Sequence, residues 1–114
     1  MPTPAGADAP FEISPEELRD ALAQEAPPLL LDCRQPEEFA ICALSGAFLV
    51  PMNEIPSRLQ ELDPDARTIV YCHHGVRSLH VTAFLRQQGF RDVRSLRGGI
   101  DRWSLAIDPG VPRY

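Results

Sequence analysis

The segment Cys72-His73-His74-Gly75-Val76-Arg77-Ser78 gathers the residue types that nucleophilic chemistry needs. It follows Thr68-Ile69-Val70-Tyr71, a β-branched and aromatic run that reads as a strand, and leads into a helical pattern from Ser78 to Gln88 that Gly89 stops. A thiol in that position sits at the mouth of a helix N-terminus, where unpaired backbone N–H groups and the helix dipole favour an anion. His73, His74 and Arg77 add donors or positive charge, so thiolate is favoured over thiol. Gly75 lets the backbone curl until successive N–H groups turn inward as a nest. A low-pKa nucleophile inside a ring of donors can attack an electron-poor atom and hold the anionic product, which is covalent catalysis with electrostatic support. A cysteine standing alone at the end of a buried strand would read as a small core residue, and it is the following residues that separate the two readings.

The elements around this loop alternate. Phe11-Glu12-Ile13 is a short extended piece, and Ser14-Pro15-Glu16-Glu17 opens a helix to about Gln24 as N-cap, N1 proline and capping-box glutamate. Pro27-Pro28 ends it, and Leu29-Leu30-Leu31 has the look of a strand buried on both faces, finishing in Asp32-Cys33-Arg34. Pro36 to Ala40 reads as one helical turn, Phe48-Leu49-Val50 as another short buried strand, and Asn53 to Leu62 as a helix capped by Asn53. Val93 and Leu96 belong to a last strand, Gly98-Gly99 makes a sharp turn, and Ile100 to Leu105 a final helical turn. Connections too long for hairpins predict an α/β fold: a mainly parallel, five-stranded open sheet with helices on both faces. In such sheets the site lies at the carboxyl ends of the strands, where both Asp32-Cys33-Arg34 and Cys72 fall.

Composition narrows the class. At 114 residues, 44% hydrophobic and 24% charged, the chain has room for one globular domain and a core that needs no disulfide staples. That domain is expected over residues 11–107, between an Ala/Pro/Gly-rich arm (1–10) with no secretory-signal pattern and a tail (108–114) without a readable motif. The net charge is −5 and the basic residues are scattered, which argues against nucleic acid or an acidic membrane surface as partner. The longest mostly apolar stretch, Phe39 to Met52, is interrupted and too short to span a bilayer. A reduced, cytoplasmic setting is expected, with the three cysteines serving chemistry or packing rather than bridges. No cofactor and no metal site are read from the residues.

The sequence resembles the rhodanese-like sulfurtransferase family in its single-domain form, from about Phe11 to Trp103. Asp32-Cys33-Arg34 matches the family's Asp-x-Arg, Glu37-Glu38-Phe39 its Glu-Phe/Tyr helical turn, and Ser45-Gly46-Ala47 with Val50-Pro51 its Gly-Ala…Ile-Pro segment. Cys72 to Ser78 matches the active-site loop, Gly89-Phe90 the end of the next helix, and Leu96 to Trp103 the Gly-Gly…Trp segment. Cys42-Ala43-Leu44 departs from the Gly-His-Ile common before the Gly-Ala segment.

The resemblance implies that Cys72 is catalytic, taking the outer sulfur of thiosulfate or a related small-molecule donor as a persulfide and yielding it to a thiol or protein acceptor. His73, His74, Gly75, Val76, Arg77 and Ser78 would bind substrate, their backbone N–H groups cradling the persulfide. Asp32 and Arg34 would brace the loop. Arg77 would either bind the donor's sulfonate or pair with a carboxylate such as Asp32 or Glu38, and the pairing is the expectation because the nest already binds anions. The histidines would bind donor oxygens or stand as exposed loop residues. For Cys33 and Cys42, packing is expected, with a resolving thiol as the alternative.

Three other readings compete. A cysteine phosphatase or arsenate reductase places five residues between cysteine and arginine, whereas four separate Cys72 from Arg77, a cradle suited to one sulfur atom. A non-catalytic docking module would dispense with Cys72. A persulfide carrier fed by a partner protein for a biosynthetic acceptor shares the chemistry and differs in the donor.

Overall fold

The computed structural model describes residues 10–114. Except for Pro10, the arm expected over residues 1–10 lies outside the described residues. Five strands, β1 (Glu12–Ile13), β2 (Leu29–Asp32), β3 (Phe48–Leu49), β4 (Arg67–Tyr71) and β5 (Asp92–Leu96), form one sheet in the order β1-β5-β4-β2-β3, every neighbouring pair parallel. The central strands are apolar at successive positions because both of their faces are covered. Leu30, Ile69 and Tyr71 pack on one face with Leu18 of helix α1 (Pro15–Leu22) and with Ile100 and Trp103 of helix α4 (Gly99–Ala106). Leu31, Val70, Cys33 and Cys72 pack on the other with Val81 and Leu85 of helix α3 (Val76–Gln87) and with Ile55.

The helix α1 opens on the capping box expected from Ser14 and Glu17, with Glu17 N–H donating to Ser14 Oγ at 3.1 Å, but it ends at Leu22, earlier than Gln24. Two other segments differ more. The stretch read as an Asn53-capped helix is a 3-10 segment, Met52–Glu61, with Pro56 inside it and non-helical angles at Arg58, because a proline interrupts the regular α-helical ladder. Helix α3 begins at Val76 rather than Ser78, since Gly75 takes the left-handed N-cap conformation (φ 99°) and lets the turn start at once. A short helix α2 (Pro36–Ile41) follows β2, and β3, expected to be buried, is the edge of the sheet with Phe48 exposed, because no further strand among the described residues covers its outer side.

After β2 the chain moves outward to β3, and after β4 it moves the other way to β5. The carboxyl ends of β2 and β4 therefore flank the crevice where the winding reverses, the place where open α/β sheets put their sites. Among the described residues, no helix is long and apolar enough to cross a membrane.

Candidate active site

Cys72 is the first residue beyond β4, and its side chain is 1% exposed. Two backbone N–H groups point at its sulfur, Gly75 at 3.1 Å and Ser78 at 3.4 Å, and Ser78 Oγ lies 3.4 Å away, accepting from the thiol and able to donate to the thiolate. Ser78 is buried and its hydroxyl lies 2.6 Å from that of Ser95 on β5, so the donor is itself held in place. The neighbouring Cys33 thiol, and the Ser78 and Gly75 groups, hold the Cys72 pKa well below the ordinary thiol value, against the opposing effect of burial. Cys33 moves the other way: the Cys72 sulfur beside it and its own burial push its thiol up. The two neighbouring sulfurs are thus pushed in opposite directions.

The loop keeps this shape because it is held from behind. Ile100 N–H donates to the Cys72 carbonyl at 2.9 Å and Asp101 N–H to the His73 carbonyl at 3.1 Å, both from the first turn of α4. Such an approach leaves no room for a side chain. A Cβ on Gly99 (φ +63°) would lie 2.5 Å from the Cys72 carbonyl oxygen, and one on Gly75 would lie 3.1 Å from the Gly98 nitrogen. With their carbonyls tied to α4, the loop residues can turn N–H groups toward the sulfur.

A chain of charged and hydroxyl groups surrounds the loop. Arg77 presents both terminal nitrogens to Glu38, at 2.7 and 2.9 Å, and this fork, joined by the Tyr114 hydroxyl, holds the Glu38 carboxyl down to about 2. Tyr114 Oη donates to Glu38 Oε2 at 2.7 Å and accepts from Arg34 Nη1 at 2.8 Å. Arg34 then grips Asp32 (Nη2 to Oδ2, 2.6 Å), both side chains fully buried, and reaches the Cys42 carbonyl at 2.7 Å. Of the two carboxylates open to Arg77 from sequence, Glu38 takes it, and Asp32 belongs to Arg34.

The imidazole of His73 is sandwiched, its centroid 3.8 Å from those of both His74 and Tyr114. Burial first, then the neighbouring His74, lower its pKa, so it is neutral at neutral pH and supplies no positive charge to the loop. Val76 is exposed, and so is His74. Among the described residues, one cluster has ligand atoms close enough for a metal: His73, His74 and Asp101, within 4.8 Å of one another. Asp101 is engaged by Arg113 at 2.8 Å, and stacked rings hold their in-plane lone pairs side by side rather than converging, so this cluster fits ring stacking better than metal binding.

Tyr114 and Ser95 went unread in the sequence. Ser95 is one small polar residue on a strand with nothing to mark it, and the tail that ends in Tyr114 has no motif. Their parts arise only from where the chain brings them.

The rhodanese-like domain family profile matches residues 14–106. A sulfurtransferase of Allochromatium vinosum is 41% identical over 93 residues, 82% of this chain and 87% of that protein. The thiosulfate sulfurtransferase GlpE of Pseudomonas aeruginosa is 35% identical over 91 residues, 80% of this chain and 81% of that one. The crystal structure of a rhodanese-like domain protein from Staphylococcus aureus superposes with a TM-score of 0.80 at 30% identity, covering 92% of this chain and 99% of the other.

Proposed function

Because the chain belongs to the rhodanese-like domain family, we propose that it is a sulfurtransferase that carries sulfane sulfur on Cys72. The Cys72 thiolate attacks the outer sulfur of thiosulfate or a like donor. A new S–S bond forms, the donor's S–S bond breaks, and sulfite leaves with the bonding pair. Cys72 then holds a persulfide whose negative charge rests on the terminal sulfur. A thiophilic acceptor attacks that sulfur and restores the Cys72 thiolate.

One observation carries this reading: the Gly75 N–H and the Ser78 N–H and hydroxyl converging on the buried Cys72 sulfur. They favour the nucleophile before attack and remain beside the anionic sulfur after it, so charge is stabilised without rearrangement. In this scheme Arg77, Glu38, Tyr114, Arg34 and Asp32 fix the loop rather than touch the donor, and Val76 and His74 form the loop's outer face.

Intact-mass measurement after incubation with thiosulfate tests it. The protein should gain one sulfur atom, which cyanide removes as thiocyanate. Cys72→Ser should neither gain the sulfur nor turn over, whereas Cys42→Ser should do both. Turnover of thiosulfate by Cys72→Ser would end the proposal. Repeating the loading with a cysteine desulfurase in place of thiosulfate reads out which donor class is preferred.

A further inference from the structure

Cys33 is a buried thiol next to the nucleophile, and no bond made or broken in the sulfur-transfer scheme involves its sulfur. Strands β2 and β4 pair in parallel with Asp32 opposite Tyr71, and Cys33 N–H extends the ladder to the Tyr71 carbonyl at 3.1 Å. One step further along, Cys33 and Cys72 stand abreast. Alternation puts Cys33 on the face of Leu31 and Cys72 on the face of Val70, which is the same side of the sheet, and both belong to the core under α3. Paired positions on neighbouring strands lie about 5 Å apart, inside the ~4.4–6.8 Å Cα separation that a disulfide spans. Cys33 Sγ rests 3.5 Å from the Tyr71 carbonyl oxygen, directly before Cys72. The remaining cysteine, Cys42, packs in the core on the opposite face.

We propose that Cys33 is the resolving thiol for oxidised Cys72, so that a hydroperoxide converts the pair into an intrachain Cys33–Cys72 disulfide. The Cys72 thiolate attacks the terminal peroxide oxygen, forming an S–O bond as the O–O bond breaks and alkoxide, or hydroxide from hydrogen peroxide, departs. Cys72 is then a sulfenic acid. The Cys33 sulfur attacks the Cys72 sulfur, the S–O bond breaks, and hydroxide leaves with the Cys33 proton as water. Two electrons pass from the sulfur pair to the peroxide. The disulfide withdraws the nucleophile from use and shields it from the irreversible sulfinic and sulfonic acids until a dithiol reduces it. None of these steps requires that Cys72 transfer sulfur.

The test treats the full chain with hydrogen peroxide in slight excess and follows intact mass, thiol alkylation and a non-reducing peptide map. The wild type should lose two hydrogens, yield a linked Cys33–Cys72 peptide, and regain full Cys72 alkylation after a dithiol. Cys42→Ala should behave identically. Cys33→Ala, and Cys33→Ser as a polar replacement should the alanine variant not fold, should instead accumulate two or three oxygens on Cys72 that a dithiol does not remove. Gain of oxygen by the wild type without a linked peptide, or a link through Cys42 or between two chains, would overturn the proposal. The peptide map of the wild type needs no variant to fold.

Discussion

Ser78 acts on the Cys72 sulfur through two atoms, its N–H and its hydroxyl, and Ser95 braces the hydroxyl. Ser78→Ala keeps the N–H and deletes the hydroxyl, so the thiol pKa should rise. A hydrogen bond to a charged group is worth ~1.5–3 kcal/mol, less for sulfur, and the Cys72 thiol starts from about 4, so iodoacetamide labelling of Cys72 near about pH 3 should slow about three- to tenfold, and near about pH 7 should hardly change. Equal rates at the acidic end would mean that the hydroxyl does not stabilise the thiolate. Arg77 gives a second forecast at this scale. Its fork is fully occupied by Glu38, so Arg77→Ala should cost about 1–2 kcal/mol of stability and lower kcat as the loop loosens. A rise in KM for thiosulfate with an unchanged melting temperature would instead make Arg77 a donor-binding residue.

The element that decides the loop's shape is α4, lying behind it in space and far from it in sequence. Its first N–H groups take the Cys72 and His73 carbonyls, and Gly98-Gly99 permits the approach. Gly99→Ala meets two backbone oxygens and a positive φ together. It should destabilise the protein by ~1–3 kcal/mol and cut kcat more than Ser78→Ala does, because the whole nest is displaced. Urea unfolding and steady-state kinetics on the same preparation would check this. A Gly99→Ala enzyme with wild-type kcat would show that the α4 contact is dispensable. Helix α2 has the matching task on the other side, where it offers Glu38 to Arg77 while the buried Arg34 takes its Glu38 and Cys42 carbonyls.

Across the whole molecule, these side chains tie helix α2, the 108–114 tail and the active-site loop to one network, and pH should report on it. The Glu38 pKa is about 2 in the folded protein, below the unfolded value of 4.5. A depressed carboxyl contributes fully above the unfolded value and loses that contribution as pH falls through the folded one. Stability should therefore decline from about pH 4.5 down toward about pH 2, and the decline over that window should be shallower in Arg77→Ala, where the depression is mostly gone. Urea midpoints measured across the window provide the comparison. An identical slope in both proteins would contradict the assignment of this linkage to Glu38.

What the sequence determined by itself is local or periodic. Cys72 to Ser78 lie within one loop, so their shared chemistry can be read from adjacency, the unbroken apolar run of β2 announces a strand buried on both faces, and the β-branched and aromatic run of β4 announces a strand. Ser14 and Glu17 likewise announce their own cap. The tertiary structure decided the rest, because strand order β1-β5-β4-β2-β3 brings together residues that sequence spacing separates. It selected Glu38 over Asp32 for Arg77, put Ser95 behind Ser78, laid Tyr114 on His73, and set Cys33 abreast of Cys72 with Cys42 on the opposite face. Periodicity tells which face of a strand a side chain takes, but the partner it meets there depends on which strand lies alongside, and that is settled only when the sheet assembles.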